Sequence, residues 1–254
     1  MKIYLIILLL FSFSFSQIDT LKSTLFEWND LQIKADNSVQ NYQLMAGKAL
    51  DLAELKVYAE IIPAGKEVHG NRHQQYEEMI IVKEGELSVK IKQESHRLGP
   101  GSMALVLPGE DHAYMNDTDV PVTFYVFQYK ARVAADFDRA KQAGGSFVVN
   151  WNDLPYKESA IGGRRDYFHR ATAMLSNFEM HVSTLNEGLT NHKAHTHKAE
   201  EFVLMIKGDV VMQVGEENYS CSAGDVVFVS SMEPHSLNNT GEGETMYFAF
   251  QLWQ

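Results

Sequence analysis

The residues in this sequence that are best suited to chemistry are three histidines and one glutamate in its second half. His195 and His197 are separated by a single residue, so both imidazoles project from the same face if this segment is a strand. Glu201 follows shortly after them, and His235 lies further along the chain. Neutral imidazoles and a carboxylate form the mixed nitrogen and oxygen set that divalent first-row transition metals accept. Such a site keeps coordination positions open for water or substrate, which metal catalysis requires.

Neighbouring side chains leave alternatives open for this cluster. An isolated pair of histidines one residue apart is commonly a surface feature, but a metal site is favoured because all the ligand types occur together. His192 is interpreted as a loop histidine outside the cluster. Glu200 adjoins Glu201, and spacing favours Glu201 because six residues separate it from Gly208. The same interval separates a glutamate from a glycine in the first half of the chain.

A shift of 123 residues brings the first half of the sequence into register with the second without a gap. The matched positions are aromatic residues, glycines and potential ligands: Trp28 with Trp151, Gly65 with Gly188, Glu78 with Glu201, Gly85 with Gly208, Gly101 with Gly224, His112 with His235 and Asn116 with Asn239. Matches in the same order over such a length indicate one domain that was duplicated and fused.

Short apolar or alternating runs dominate both halves and predict the β-strands that must position these side chains. The predicted strands are residues 55–62, 78–82, 87–91 and 103–107, and their second-half equivalents 178–185, 202–206, 210–214 and 226–229. Glycines between consecutive runs predict tight turns, because glycine adopts a positive φ at little cost. Many short strands with regularly spaced turns predict an all-β protein built from sandwiches or barrels.

The segment between the two halves has a different pattern. Apolar residues in 132–145 recur at helical spacing and two glycines follow, which predicts a short linking helix, with a mobile linker as the alternative. The predicted organisation is a signal peptide over residues 1–16, an N-terminal domain over 17–131, a linker over 132–150 and a C-terminal domain over 151–254.

Two stretches of the second half resemble the two sequence motifs of the cupin superfamily. The first motif has the form G(x)5-6HxH(x)3E(x)6G, and its HxH and E are the histidine pair and Glu201. The second has the form G(x)5PxG(x)2H(x)3N, in which His235 and Asn239 stand at the expected spacing. Ser230 and Met232 replace the Pro and the inner Gly of this second motif.

The resemblance covers most of both halves and implies a bicupin, with two tandem cupin barrels of the double-stranded β-helix or jelly-roll type. It implies one divalent transition metal per chain, manganese or iron in preference to nickel or zinc. The implied ligands are His195, His197, Glu201 and His235.

The first half has lost part of this ligand set. Arg72 and Gln74 occupy the positions of the histidine pair, while Glu78 and His112 are retained. A guanidinium is permanently cationic and cannot ligate a metal. We therefore expect no metal in the N-terminal barrel and an Arg72–Glu78 ion pair in its place.

Strand alternation around the ligands predicts which side chains face a substrate. The candidates are His181, Met205, Tyr247 and Gln251, and packing in the core is the alternative for each. The segment 162–165, which contains Arg164, offers either an anion contact or a solvated loop. Trp28 and Trp151 are predicted to close one face of each barrel.

Composition and the first residues narrow the setting in which the protein works. The net charge of −11, with no basic stretch to offset it, argues against nucleic acid or an anionic membrane as a partner. Lys2, an apolar run and small residues at Ser14 and Ser16 predict a cleaved secretory signal, since the run is too short to span a membrane. No cysteine lies near that site, so the sequence predicts a periplasmic or secreted protein that is not a lipoprotein.

These observations predict an exported metal-dependent enzyme that acts on a small oxygen-rich molecule. Its resemblance to quercetin-dioxygenase-like and ureidoglycine-aminohydrolase-like bicupins allows a dioxygenase, aminohydrolase or isomerase reaction, and the ligand set departs from that of the second group. A non-enzymatic periplasmic protein that binds a metal, a sugar or a uronate is the alternative, and a zinc-stabilised structural protein is less favoured. Both a monomer and a homodimer are compatible with the sequence.

Overall fold

The computed structural model describes residues 19–34, 36–70 and 75–254. Across these residues the protein is almost entirely β-structure, in two similar barrels with one short α-helix between them. This confirms the predicted all-β fold with two tandem barrels and a linking helix. The predicted signal peptide lies outside the described residues. The helix within them has neither the length nor the hydropathy of a membrane span.

The first half begins with a short strand and a 3-10 turn, Trp28–Asp30, before the barrel itself. Its strands are β1 (Thr24–Phe26), β2 (Gln40–Gly47), β3 (Leu52–Ile62), β4 (Glu67–Gly70), β5 (Glu77–Glu84), β6 (Leu87–Ile91), β7 (Glu94–Leu98), β8 (Met103–Val106), β9 (His112–Met115) and β10 (Val122–Ala131).

The second half repeats this order after the linking helix α1 (Phe137–Gln142), with its own 3-10 turn at Trp151–Asp153. Its strands are β11 (Phe147–Val149), β12 (Lys157–Ser159), β13 (Gly162–Arg170), β14 (Asn177–Leu185), β15 (Glu200–Lys207), β16 (Val210–Val214), β17 (Glu217–Cys221), β18 (Val226–Val229), β19 (His235–Asn239) and β20 (Thr245–Trp253).

The linking helix is shorter than its sequence pattern predicts. Asp136 caps its first turn by accepting a hydrogen bond from the Arg139 backbone nitrogen, 2.8 Å away. Arg132, which lies before this capping residue in the chain, donates a hydrogen bond from Nε to the Leu50 carbonyl at 2.8 Å. This contact holds the chain before Asp136 against the first barrel, so the helix begins only at Phe137.

Each barrel consists of one large and one small antiparallel sheet. In the first barrel the large sheet has the order β11-β8-β5-β10-β3-β2, and it faces a small sheet ordered β4-β9-β6-β7. In the second the large sheet is ordered β1-β18-β15-β20-β14-β13-β12, and its partner is β17-β16-β19. The chain therefore exchanges its short leading strands, since β1 joins the second barrel and β11 joins the first.

The exchange also decides where the two repeated tryptophans lie. Trp28 packs against Gly224 of the second barrel, where an added Cβ would meet its indole at 2.8 Å. Trp151 packs against Gly101 of the first barrel, where the corresponding distance is 2.5 Å. Each tryptophan thus packs against a turn of the opposite barrel as well as against side chains of its own half, and only glycine at the facing turn leaves room for the ring.

Alternation along the large sheets separates two buried surfaces. On β15, Phe202 and Leu204 face the other barrel and belong to a shared core between the two large sheets. Val203 and Met205 point the opposite way, into the interior of the second barrel. Because successive strand residues project to opposite faces, neighbouring glutamates on this strand are also sent to different environments.

Candidate functional site

Three histidines of the second barrel meet where β15 and β19 begin. His195 forms an isolated bridge with His235, with backbone N–O distances of 3.2 and 3.1 Å, which places the HxH segment beside β19. The ligand atoms of His195, His197 and His235 all lie within 4.8 Å of one another. Among the described residues, this is the group of three potential ligands that converges closely enough to hold one metal ion.

Backbone carbonyls orient two of these imidazoles. The Nδ1 atom of His197 lies 2.9 Å from the Ala199 carbonyl, and that of His235 lies 2.9 Å from the Glu233 carbonyl. Because a carbonyl oxygen only accepts, each Nδ1 carries a hydrogen and donates it. The Nε2 lone pairs therefore face the cluster, which is the tautomer that a metal ligand needs.

Glu201 completes the set from the adjacent strand. Its Oε2 lies 3.0 Å from His197 Nε2 and 3.6 Å from His235 Nε2, and it accepts a 2.8 Å hydrogen bond from Gln251. Burial raises the pKa of Glu201, but the hydrogen bond from His197, the nearby His235 and Gln251 together outweigh it and hold the pKa well below its usual range. The carboxylate is therefore ionised at neutral pH.

The atoms at the centre of this cluster fit a bound cation. Nε2 of His197 and Oε2 of Glu201 both present lone pairs across 3.0 Å once Nδ1 is committed to Ala199, so a proton or a metal ion must lie between them. Nε2 of His235 is buried without a hydrogen-bond partner. A buried nitrogen in that state costs about 1–3 kcal/mol, which coordination of a metal would remove. Three imidazoles and one carboxylate suit a divalent transition metal.

A cavity of about 390 Å³ opens onto this cluster. Three of the four predicted substrate-facing residues line it, namely His181, Tyr247 and Gln251. Met205 does not line it and packs in the core of the barrel, 2% exposed, although it pairs with Tyr247 on β20.

The remaining predictions about neighbouring side chains have mixed outcomes in the structure. Glu200 points away from the cluster and accepts a 2.7 Å hydrogen bond from the Leu50 backbone nitrogen of the first half. His192 lies on a loop, as expected, but it also lines the cavity with its ring centroid 4.2 Å from that of His195. Arg164 lines the same cavity from β13.

Sequence reasoning missed several polar residues of the cavity wall. Ser183, Glu179 and Asn191 line it, and the Tyr247 hydroxyl interacts with both Ser183 and Asn191. Alternation along β14 could have found Ser183 and Glu179, since they flank His181 at a spacing of two residues. Asn191 lies in the loop before the HxH segment, where no periodicity marks it.

The equivalent position of the first barrel contains a buried hydrogen-bond network around Glu78. The Glu78 carboxylate accepts from Tyr114 and, at 2.5 Å, from Gln128, and His112 Nε2 lies 3.2 Å away. Burial raises the pKa of Glu78, but His112 and these donors outweigh it and lower that pKa overall. Arg72 and Gln74 lie outside the described residues, and so does the predicted Arg72–Glu78 ion pair.

Comparison with known proteins identifies both repeats. The sequence matches the family described as Cupin domain twice, over residues 58–128 and 181–251. No curated protein matches the chain.

The fold also matches solved structures. The putative glyoxylate induced protein from Pseudomonas aeruginosa has a TM-score of 0.71 at 16% identity, with 93% of this chain and 90% of that chain covered. Protein Ylba from E. coli gives 0.67 at 13% identity, with 91% and 90% covered. A mutant of Bacillus subtilis oxalate decarboxylase OxdC gives 0.69 at 13% identity, with 93% and 79% covered. At these identities the likeness concerns the fold. The family match spans more than half of the chain, and the protein therefore belongs to the cupin family.

Proposed function

We propose that this cupin protein is a metal-dependent enzyme whose second barrel holds one divalent transition metal, manganese or iron in preference to nickel or zinc. The ligands are His195, His197, Glu201 and His235. The observation that carries the proposal is the meeting of three imidazoles and an ionised carboxylate at the end of a 390 Å³ cavity. A cavity of that volume lies in the range of pockets that bind small molecules.

The side chains around the ligands have distinct roles in this proposal. When bound, the metal supplies a Lewis acid that polarises a substrate oxygen or activates water. Gln251 donates to Glu201 at 2.8 Å and so fixes which carboxylate oxygen faces the histidines. Tyr247 is held by Ser183 and Asn191, which orients its hydroxyl in the cavity wall.

The substrate proposed for this site is a small oxygen-rich molecule. Three neutral imidazoles and one carboxylate leave a divalent ion with a net positive charge, so an anionic or strongly polar oxygen group is favoured beside it. The structural resemblance to oxalate decarboxylase, an enzyme named for a small oxygen-rich acid, supports this substrate class. A dioxygenase, aminohydrolase or isomerase reaction is compatible with this site.

We also propose that the protein is exported to the periplasm or secreted. The support is the sequence of residues 1–16, in which a lysine precedes an apolar run and small residues follow. Edman sequencing of protein recovered from the extracytoplasmic fraction should begin at Gln17. An intact Met1 in the cytoplasmic fraction would contradict this part of the proposal.

The experiment that tests the enzyme proposal is elemental analysis of protein purified without added metal, followed by oxygen-uptake and hydrolase screens. We expect about one manganese or iron per chain in the wild type. His235→Ala should lose the metal, with an affinity loss larger than the roughly 10–100-fold that follows removal of a residue that only hydrogen-bonds to a ligand. The matched variant is His112→Ala in the first barrel, which should keep the metal.

The possible outcomes distinguish between an enzyme, a binding protein and a different metal site. Two metals per chain, or metal retained in His235→Ala, would contradict the assigned site. Metal-replete protein that binds small molecules without turnover would replace the enzyme by a binding protein. Metal bound equally after His112→Ala and lost after His235→Ala, together with turnover in any screen, would support the proposal in full.

A further inference from the structure

Besides the proposed ligand His235, the cavity wall of the second barrel contains one histidine with a buried ring nitrogen that has no hydrogen-bond partner among the described residues. His181 lines the cavity from β14, and its Nδ1 atom is buried without a hydrogen-bond partner. Unpaired buried polar atoms are costly and rare in folded proteins, so each one requires an explanation. Water or a ligand in the cavity would supply the missing partner.

Strand register places His181 relative to the metal ligands. Glu179, Gln251 and Glu201 face one another across β14, β20 and β15, and the next row in the same direction is His181, Ala249 and Val203. Successive rows on one face of a sheet are roughly 6–7 Å apart. The imidazole therefore stands about one small molecule's length from the ligand row.

The row of strand residues that contains His181 also contains a small side chain, which leaves space in the cavity. Ala249 lies directly opposite it on β20, and a small side chain there opens the cavity in front of the imidazole. In the first barrel the equivalent of Ala249 is Val126, which packs in the core of that barrel. The equivalent of His181 there is Tyr58.

The environment of His181 keeps it uncharged. Burial, and next the charge of Arg164, lower the pKa of His181 to about 4. A neutral imidazole has one donor and one acceptor nitrogen. It therefore suits a hydroxyl, carbonyl or amide group better than a second full charge.

We infer that His181 is a substrate-binding residue, and that the substrate is a two-ended small molecule with an anionic oxygen group at the metal ligands and an uncharged hydrogen-bonding group against His181. This inference rests on the proposed function, because it requires a metal at one end of the cavity. It narrows the substrate class to small acids that carry a second hydroxyl, carbonyl or amide a few atoms from the carboxylate.

The test compares matched acids on manganese-loaded protein by thermal shift. The probe pairs are propanoate with its terminally hydroxylated form and butanoate with its terminally hydroxylated form. In the wild type the hydroxylated acid should raise Tm more than its plain partner at the same concentration. We call this difference in Tm between the hydroxylated and the plain acid the increment. His181→Leu should lose more than half of the increment. His181→Asn keeps a polar atom near the Nδ1 position and should retain more of the increment than His181→Leu.

A second readout separates binding from a structural role. Since Nδ1 has no protein partner, the metal-free His181→Leu protein should melt at or above the wild-type Tm. Manganese affinity by calorimetry should stay within about threefold of the wild type, because His181 is not a ligand. His96→Leu, at a histidine of β7 in the first barrel, is the control and should change neither manganese affinity nor the increment.

Several results would overturn the inference. One is equal stabilisation of the wild type by the plain and hydroxylated acids, and another is an unchanged increment in His181→Leu. The third such result is a Tm of metal-free His181→Leu that is markedly below that of the metal-free wild type. If the wild type binds no manganese, the proposed function fails and the inference fails with it. If manganese binds normally and the increment persists in His181→Leu, the inference alone fails.

Discussion

In the first barrel the Glu78 carboxylate is bonded by Tyr114 and Gln128, whereas in the second barrel the equivalent Glu201 faces imidazoles. The tyrosine accounts for much of this difference, because the residue at its position in the second barrel is Leu237. Leucine offers no hydroxyl to the carboxylate, so an oxygen of Glu201 stays directed at the histidines. The same fold and the same buried acid thus take part in a hydrogen-bond network with a tyrosine in one barrel and face a cluster of imidazoles in the other.

Other differences between the barrels point in the same direction. Tyr114 packs edge-on against Phe124 at 5.4 Å between ring centroids, so the interior of the first barrel is filled around the acid. Glu60 is buried in that interior, and its equivalent in the second barrel is Ser183 of the cavity wall. The interior of the first barrel is thus filled by side chains around its buried acid, whereas the second barrel has a cavity beside the equivalent acid.

The largest expected effect comes from removing the two equivalent acids. Glu78→Ala removes the buried carboxylate that accepts hydrogen bonds from Tyr114 and Gln128, and breaking a buried pair in this way costs about 3–5 kcal/mol. For a chain of this size that corresponds to a fall in Tm of roughly 10 °C. Glu201→Ala should cost less than half as much in metal-free protein, because His197 and Gln251 are partly exposed and water can replace the carboxylate.

Added metal should stabilise the first of these variants normally and the second very little. Added manganese should raise the Tm of Glu78→Ala by the same amount as that of the wild type, since a ligand that binds the folded state stabilises it. Glu201→Ala should lose most of that rise. Equal losses of Tm in the metal-free variants, or a metal response lost in Glu78→Ala, would break the proposed division between a structural and a metal-binding barrel.

Much of the fold could be predicted from the sequence because it depends on local pattern. The limits of β6 and β16 are those of the predicted runs, since burial of alternating residues is visible in each run. Spacing in the repeat also distinguished Glu201 from Glu200, and in the structure these two side chains face opposite sides of β15. The repeat was informative here because register on a strand determines which face a side chain occupies.

The features that were not predicted depend on distant parts of the chain. The exchange of β1 and β11 between barrels joins residues about two hundred positions apart in the case of Thr24 and Phe228, which no local periodicity encodes. The role of Tyr114 was hidden for a similar reason, since it is one aromatic residue in a strand until Glu78 is placed beside it. Met205 had the correct strand face, but its side chain packs in the core of the barrel and does not line the cavity, although its partner Tyr247 does.

A smaller effect is expected from Glu60, and it depends on pH. Burial, and next the charge of Glu78, raise the pKa of Glu60 from 4.5 to about 7 in the folded protein. The folded state therefore binds this proton more tightly than the unfolded chain, and stability falls as pH rises from about 4.5 to about 7, then stays level. Glu60→Gln removes the ionised form. The free energy of unfolding of Glu60→Gln minus that of the wild type is the quantity to compare at two pH values. This difference should be about 2–3 kcal/mol larger at pH 8 than at pH 5.

Urea unfolding at the two pH values measures this difference. Glu94→Gln, at a side chain of β7 that is 83% exposed, is the control and should show the same small change at both. The second barrel has Ser183 at the position of Glu60, and a serine does not titrate in this range. A Glu60→Gln gain that is equal at pH 5 and pH 8 would mean that the carboxyl of the first barrel interior titrates like an exposed one.

The smallest effect concerns one backbone position beside the histidines. Met232 has φ of 64° and its equivalent Gly109 has φ of 78°, so both barrels place this turn in the left-handed region. Only glycine adopts that region freely, and a residue with a Cβ costs about 1 kcal/mol there. The Met232 backbone nitrogen donates to the His197 carbonyl at 2.8 Å, so the strained turn also holds the HxH segment in place.

Exchanging these two residues tests whether the strain serves the site. Met232→Gly should raise the free energy of unfolding of metal-free protein by about 0.5–1 kcal/mol, less than the full strain because glycine also gains freedom in the unfolded chain. Gly109→Met should lower it by about 1 kcal/mol, since the same strain is introduced where open space surrounds the turn. Both changes are measurable by urea unfolding.

If Met232→Gly is stabilising and weakens manganese binding, methionine stiffens the turn that positions His197. If it is stabilising with unchanged affinity, the strain in the metal-binding barrel is independent of its ligands. A destabilised Met232→Gly would show that side-chain contacts of Met232 outweigh its backbone strain.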